Sequence, residues 1–224
     1  MEYQALLSEL GSLAEEKYRD FSGKLMGNPN VKLLGVRIPA LRRLAKKYKG
    51  AYADLLTFPD EYFEVTLVKC IALGAQPYDV FIGRLEEVLP LLNCWAVCDC
   101  FDAPCIKTHR AEFLEIIRKF RFSEHEFTSR YMLVQLLKYY CTQEYLSFIF
   151  ESAEGCDHAK YYVSMAAAWL LAEVLIKHYE AGVEFLKKGT LPVITHNRAM
   201  QKARESFRLT AEQKEELKRL KRSK

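Results

Sequence analysis

The chain has 224 residues, half of them hydrophobic, and a formal net charge of +4. This length fits one domain or a short array of repeats, and the apolar content is enough for a substantial core. No apolar run approaches the roughly 20 residues that a membrane span needs, and the acidic start of the chain is unlike the basic start of a signal peptide. We therefore expect one domain over residues 1–224, monomeric, cytoplasmic and not associated with a membrane.

Helical patterns begin at the N-terminus, where residues 2–22 form one predicted helix that the sequence GNPN at 27–30 ends. Gly35 and Pro39 open a second helix, because a proline is tolerated in the first helical turn. A short helical piece over 51–57 follows. Alternation of the kind that predicts strands is absent, so we expect an all-α fold.

From residue 60 onward, helical hairpins recur at steps of 33, 31, 35 and 36 residues. A single hairpin cannot bury its own apolar stripe, whereas stacked hairpins form a continuous core, so this period predicts an α-solenoid. The first helix of each hairpin should line the concave face, and Thr195 is the predicted N-cap of the last one. The predicted first helices span 60–74, 93–102, 124–140, 159–178 and 195–207.

Trp95 and Asp99 lie four residues apart, so a helix places both side chains on one face, one turn apart. An acidic residue is unusual in a segment as apolar as NCWAVCDCFDAP. Asp99 either caps a neighbouring helix or pairs with a basic residue, or it presents a negative charge beside an aromatic wall. The pattern leaves both the structural and the functional interpretation open.

Arg130 and Trp169 follow on the first helices of later hairpins. Arg130 lies among large apolar residues, where a guanidinium needs an anion, either a carboxylate such as Asp99 or Asp102 or a phosphate held by the bidentate fork. Core packing is the ordinary role of a lone tryptophan like Trp169 in a helix of small residues. If the first helices line one concave face, both residues share a surface with Trp95 and Asp99.

Positive charge is concentrated at the C-terminal end. Residues 195–224 contain ten Lys or Arg and four acidic residues, a net charge of +6, whereas the rest of the chain sums to −2. This asymmetry predicts contact with a phosphate backbone, and a solvated tail is the alternative. Arg198 and Lys202, one turn apart on the last long helix, are candidate phosphate ligands. Arg42 and Arg43 on the second helix form a further basic cluster, and solvated faces are the structural alternative for both pairs.

Seven cysteines, an odd number, lie mostly in apolar segments, as is typical of reduced thiols. Four are close in sequence, but their spacing matches no paired CxxC zinc pattern, and a helix would point one of them away from the first two. Motifs for phosphate loops, kinases and HExxH metal sites are also absent. The sequence therefore predicts no metal and no cofactor. The four cysteines are Cys94, Cys98, Cys100 and Cys105.

Five segments stand in a recognisable order and spacing: LLGVRIPALRRLAKKY (33–48), NCWAVCD (93–99), FTSRYMLVQLL (127–137), YYVSMAAAWLLAEV (161–174) and THNRAMQKARES (195–206). Together they resemble the DNA alkylation repair proteins of the AlkD type, and the resemblance covers most of the chain. It implies a right-handed α-solenoid of HEAT-like helical repeats that binds double-stranded DNA in a concave basic cleft.

The same resemblance implies roles for the residues singled out above. Trp95 and Trp169 are similar to the two aromatic walls of the lesion cleft. Asp99 is similar to the catalytic carboxylate, and Arg130 to the arginine that holds the DNA backbone near the lesion. Active relatives with this set hydrolyse the N-glycosidic bond of cationic N3- or N7-alkylated purines without drawing the base into a pocket, unlike most glycosylases.

One segment departs from the family's pattern. In active relatives, a short helix before the GVRIP-like motif brings a tyrosine to the cleft. Residues 22–35 instead contain Gly27, Asn28 and Pro29, which oppose a helix, and Met26 falls near the tyrosine's place. This departure resembles the subgroup that lacks the helix. Two alternatives therefore stay open, a non-catalytic DNA-binding relative that recognises unusual DNA structure and a protein-binding HEAT scaffold.

Overall fold

A computed structural model describes residues 1–26 and 30–223. Within these ranges the chain forms fourteen α-helices and four short 3₁₀ helices, and the single β-type contact is an isolated bridge between Lys32 and Tyr62. In chain order the α-helices are α1 (Tyr3–Ser12), α2 (Glu16–Met26), α3 (Ile38–Lys47), α4 (Tyr52–Thr57), α5 (Phe63–Gly74), α6 (Tyr78–Val88), α7 (Trp95–Cys100), α8 (Arg110–Phe120), α9 (Glu126–Tyr139), α10 (Leu146–Gly155), α11 (Tyr161–Lys177), α12 (Tyr179–Lys187), α13 (Val193–Arg204) and α14 (Ala211–Arg219).

The helices form two compact units, residues 1–109 and residues 110–224. In the first unit α3 packs on α5 and α5 on α7, and in the second α9 packs on α11 and α11 on α13. Within each unit, therefore, the first helices of successive hairpins lie side by side. This packing in chain order confirms the predicted all-α fold and is the packing of an α-solenoid. The assignment of the whole chain to one domain stays a prediction.

The hairpin period located the first helices closely, since α5, α7, α9 and α11 all lie inside their predicted ranges. The last one differs, because α13 begins at Val193 and the predicted N-cap at Thr195 is wrong. Pro192 takes the N-cap place with φ −54° and ψ 140°, where its fixed φ is tolerated and a missing N–H leaves nothing unpaired. Thr195 is buried instead, and its Oγ1 lies 3.0 Å from Nδ1 of His158.

The prediction of a single helix over residues 2–22 is also wrong, because the helix is interrupted at residues 13–15, between α1 and α2. Glu15 explains the break. Its backbone N–H donates to the carbonyl of Gly35 at 2.9 Å, and its carboxylate accepts two hydrogen bonds from the guanidinium of Arg37 at 2.7 and 2.8 Å. These contacts with a distant segment replace the hydrogen bonds that a continuous helix would make.

The predicted first helix ends at residue 22, whereas α2 continues to Met26. Residues 22–26 form the last turns of α2, and Met26 at its end is buried. Most of the predicted helix-breaking sequence GNPN, residues 27–29, lies outside the described residues. None of the described helices is long and apolar enough to cross a lipid bilayer.

Gly35 marks the entry to α3, where the backbone requires glycine. Its φ is +98°, and a Cβ there would lie 2.6 Å from the backbone oxygen of Glu15 and 2.7 Å from Cβ of Arg19. The carboxylate of buried Glu64 accepts hydrogen bonds from the three backbone N–H groups of residues 34–36 at 3.0, 2.8 and 3.2 Å. The loop before α3 is thereby bonded to α5, and its Gly35 lies close against the start of α2.

Residues 220–222, after α14, are attached to α13, so the solvated tail considered above is wrong for this part of the chain. Nε2 of His196 lies 3.0 Å from the carbonyl of Leu220. The side-chain amide of Asn197 bonds to both the N–H and the carbonyl of Arg222, at 3.0 and 2.9 Å. The guanidinium of Arg222 in turn donates to the carbonyl of Leu191 at 2.8 Å.

Substituting Gly35→Ala should destabilise the protein more than Gly189→Ala. Both glycines have positive φ, so both variants incur the left-handed penalty of about 1–2 kcal/mol. A Cβ at position 189 meets nothing within 4 Å, whereas at position 35 it meets the backbone of Glu15. We expect Gly35→Ala to lower the free energy of unfolding by about 2–3 kcal/mol, measured by urea denaturation. Equal decreases in the free energy of unfolding in the two variants would show that the close approach of Gly35 to Glu15 does not affect stability.

Acidification should weaken the attachment of the C-terminal residues through His196. The carbonyl of Leu220 accepts from Nε2, so the neutral ring leaves Nδ1 unprotonated and buried, with no hydrogen-bond partner among the described residues. Burial lowers the pKa of His196 below its ordinary value of 6.5, and the nearby charge of Arg222 acts in the same direction, against the hydrogen bond to Leu220. As the pH falls, His196 is therefore protonated in the unfolded chain before it is protonated in the folded one. Its contribution to stability is complete above about pH 6.5 and is lost as the pH drops toward the folded-state pKa.

A His196→Gln variant tests this pH dependence, since its amide can still donate to Leu220 but does not titrate. Between about pH 7.5 and pH 5.5, the wild type should lose more free energy of unfolding than the variant. The measurement is urea denaturation at the two pH values. The other titrating groups are common to both proteins, so parallel losses would mean that His196 does not contribute.

Candidate functional site

Trp95 and Asp99 lie on the same side of α7 in the first unit. The helix begins at Trp95 because Cys94 is extended, with φ −157° and ψ 165°. Cys94, Val97 and Cys98 are buried, whereas Trp95 and Asp99 are half-buried. The helix therefore presents an indole and a carboxylate one turn apart on its partly exposed side.

The indole of Trp95 is anchored by α2. Its Nε1–H donates a hydrogen bond of 3.0 Å to the carbonyl of Leu25, in the last turn of that helix. The hydrogen bond satisfies the one polar atom of the indole and fixes the orientation of the ring. The two residues are 70 positions apart in the chain, and no local pattern indicated that they meet.

Arg42 and Arg43 lie on the exposed side of α3, whose other side is buried. Neither guanidinium forms an ion pair within the described ranges, whereas Lys47 of the same helix lies 2.8 Å from the carboxylate of Glu9.

Arg42 also borders a cavity of about 290 Å³, which the sequence did not predict. The cavity is lined by Arg42, Ile71, Ala75, Cys100, Asp102 and Pro104.

Arg130 is buried in the second unit, on α9. Its Nη1 donates a 3.0 Å hydrogen bond to the carbonyl of Tyr162, in the first turn of α11. The carboxylate of Glu126, one turn earlier on α9, accepts a 2.7 Å hydrogen bond from the N–H of the same Tyr162. Arg130 and Glu126 therefore bind the backbone carbonyl and the backbone N–H of Tyr162, and these contacts join the start of α11 to α9.

Large side chains at Tyr161, Met165 and Trp169 form a partly exposed stripe along α11, which we call the α11 stripe. Tyr161 is 54% and Trp169 38% exposed, whereas the residues between them are buried or half-buried. The spacing i, i+4, i+8 places all three side chains on one side of the helix. Trp169 is therefore not a core residue, and its spacing from Tyr161 was the signal that could have shown this.

Arg198 connects α13 to the start of the α11 stripe. Its guanidinium carbon lies 5.0 Å from the centroid of the Tyr161 ring, and its Nη1 lies 3.1 Å from Oγ of Ser164. A cation at this distance from a ring is attracted by its π electrons. Lys202, one turn further on α13, is exposed and pairs with Glu205 at 2.9 Å. Arg198 is therefore held in place, while the charge of Lys202 is partly neutralised.

The candidate residues divide between the two units. Those on α3 and α7 belong to the first unit, and those on α9, α11 and α13 to the second. Within the second unit, α11 lies between α9 and α13, so the helix of Trp169 is flanked by the helices of Arg130 and Arg198. The convergence of Trp95 and Asp99 with Arg130 and Trp169 on one surface stays a prediction.

All seven cysteines are present as thiols, and several are in the core. Burial raises the pKa of Cys94 to about 11 and that of Cys141 to about 11, so both thiols stay protonated near neutral pH. Among residues 1–26 and 30–223, no three His, Cys, Asp or Glu side chains cluster in a way that could hold a metal ion. These thiols act as small core side chains.

Helical hairpins stacked in chain order within each unit define a helical-repeat protein of the α-solenoid class. The family model of the DNA alkylation repair enzymes matches residues 6–212. The match spans nearly the whole chain, and the protein belongs to this family. Comparisons with curated proteins and with solved structures found no match. Family membership supports a role in DNA alkylation repair, with DNA as the partner.

Removing the Arg130 side chain should destabilise the protein, because a buried hydrogen bond from a charged group to the Tyr162 carbonyl is lost. We expect Arg130→Ala to lower the free energy of unfolding by about 1.5–3 kcal/mol, measured by urea denaturation. Arg204→Ala is the matched control, because Arg204 is exposed and forms no ion pair among the described residues. The control should change stability by less than about 0.5 kcal/mol. Similar effects in both variants would refute the structural role of Arg130.

Proposed function

We propose that the protein is a monofunctional DNA glycosylase, which hydrolyses the N-glycosidic bond of cationic N3- or N7-alkylated purines in duplex DNA. The observation that carries this proposal is the pair on α7. The half-buried carboxylate of Asp99 lies one turn from the Trp95 indole, which the Leu25 carbonyl orients. Membership in the DNA alkylation repair enzyme family supports the substrate class.

The chemistry of the lesion suits these two side chains. An alkylated purine carries a positive charge and is already a good leaving group. As the glycosidic bond breaks, positive charge moves onto the sugar, where the carboxylate of Asp99 stabilises it and orients the attacking water. A carboxylate that is half-buried acts through a lower dielectric than bulk water, so its effect on the developing charge is larger.

Aromatic side chains provide selectivity for cationic bases. The face of an indole attracts a cation, so Trp95 favours a charged purine over a neutral one. Trp169, partly exposed on the α11 stripe, offers a second indole of the same kind. A neutral base gains much less from both, and discrimination against undamaged DNA then follows from charge rather than from the shape of a pocket.

The basic side chains of both units bind the phosphate backbone in this proposal. Arg42 and Arg43 are exposed and form no ion pair in the part of the chain that the structure describes. Arg198 is held between Tyr161 and Ser164 and presents its guanidinium beside the α11 stripe. Arginine suits a phosphate because its planar fork donates two hydrogen bonds at once.

Asp99→Asn should abolish most of the release of an N7- or N3-alkylated purine from duplex DNA. The amide retains the size of the side chain but loses the charge that stabilises the sugar cation. We expect a decrease of roughly 10²–10³-fold in the single-turnover rate, measured at protein concentrations that saturate the DNA. The matched control is Asp102→Asn, which neutralises an exposed carboxylate three residues further on and should leave the rate near that of the wild type.

Absence of release by the wild type under saturating conditions would refute the glycosylase proposal for these lesions. Duplex binding that persists in that case would favour the non-catalytic DNA-binding relative. The altered segment at 22–35, with Met26 buried, is the observation that favours this second function. If the wild type neither releases a base nor binds duplex DNA, a protein-binding scaffold becomes the better interpretation.

A further inference from the structure

A basic pocket of about 310 Å³ lies between α13 and α14. None of the residues assigned to the proposed glycosylase site lines it. Its lining contains three cations, two amides and two buried apolar side chains, and no carboxylate. We call it the C-terminal pocket. Its polar lining residues are Asn197, Gln201, Arg204, Lys218 and Lys221.

Two of the cations in the C-terminal pocket have charges that no neighbour neutralises. Arg204 and Lys221 are exposed, and neither side chain forms an ion pair or hydrogen bond within residues 1–26 and 30–223. Lys218 differs, because its ammonium lies 3.5 Å from the carboxylate of Glu215. A guanidinium and an ammonium on one concave surface are the donors that suit a phosphate group.

The chain around Lys221 is fixed, so the pocket does not depend on a flexible tail. On one side, the carbonyl of Leu220 lies 3.0 Å from Nε2 of His196. On the other, both backbone polar groups of Arg222 are bonded to the side-chain amide of Asn197. A ligand that binds to Lys221 therefore does not have to order the backbone first, which lowers the entropic cost of binding.

The pocket continues the exposed face of α13. Arg198 lies on the side of α13 toward α11, as its contacts with Tyr161 and Ser164 show. Arg204, together with Gln201, lies on the side toward α14, where the pocket is. At 100° per residue, the solvent-facing surface of α13 runs between these two sides. A phosphate backbone that contacts Arg198 can therefore extend onto the C-terminal pocket along one helix.

We propose that the C-terminal pocket binds a backbone phosphate of the duplex that flanks the lesion, with Arg204 and Lys221 as ligands. This inference rests on the proposed function only in requiring duplex DNA as the partner. A contact with phosphate positions a protein on DNA without reading the bases. The pocket therefore adds affinity that is independent of the lesion and of the sequence.

The test compares the salt dependence of binding to a labelled, undamaged DNA duplex. Each neutralised phosphate contributes about 0.9 to the slope of log K against log salt concentration. Because the pocket binds one phosphate, the double variant Arg204→Ala/Lys221→Ala should have a slope smaller by about 0.9 than the wild type. The control Lys188→Ala/Arg219→Ala removes the same residue types and the same charge from exposed positions outside the pocket, and it should keep the wild-type slope. Thermal unfolding of each variant verifies that it is folded.

Equal slopes in the wild type and the pocket variant would overturn this inference, and equal decreases in the pocket variant and the control would do the same by showing an effect of net charge alone. In both cases the wild type still binds DNA, so neither result refutes the proposed function. If the wild type binds no duplex at low salt, this inference and the proposed function both fail.

Discussion

Burial of the first helices against one another is the constraint on which the rest of the structure depends. In the second unit, α11 packs between α9 and α13 and also contacts α10 and α12. A helix enclosed in this way has one narrow face left for solvent, and its other positions must be apolar or small. Large side chains on that face, such as Tyr161 and Trp169, are only partly covered by the neighbouring helices. The exposed part of each ring therefore adds little to the stability of the core.

Local apolar patterning predicted much of this fold, because a helix that is buried in a stack shows its burial in its own sequence. The bounds of α5, α7, α9 and α11 followed from that pattern, and so did the spacing of Trp95 and Asp99. The break between α1 and α2 did not, because it depends on Gly35 accepting from Glu15 across 20 residues. The hydrogen bond from Trp95 to the carbonyl of Leu25 was not predicted either, because the two residues are 70 positions apart in the chain.

Buried charged residues in both units bind backbone groups of neighbouring segments. Glu64 accepts from the N–H groups of residues 34–36, Lys69 donates to the carbonyl of Phe58, and Arg130 donates to that of Tyr162. A buried charge without such partners would be costly, and these contacts compensate for it. The sequence identified Arg130 as a residue that needs a partner, but the carbonyl of Tyr162 becomes a neighbour only when α9 and α11 pack.

Paired and unpaired cations differ in what they contribute to binding a polyanion, so net charge alone is a poor guide to the surface that DNA would contact. Arg37, Lys47 and Arg84 each lie within 2.8 Å of a carboxylate. Such a cation must break its ion pair with the carboxylate before it neutralises a phosphate, and replacing one anion by the other gains little free energy. Arg204 and Lys221 have no such partner among the described residues, so each brings its full charge to a phosphate and releases a counterion from the DNA. The unpaired cations, rather than the total of +4, therefore indicate where a phosphate backbone would bind.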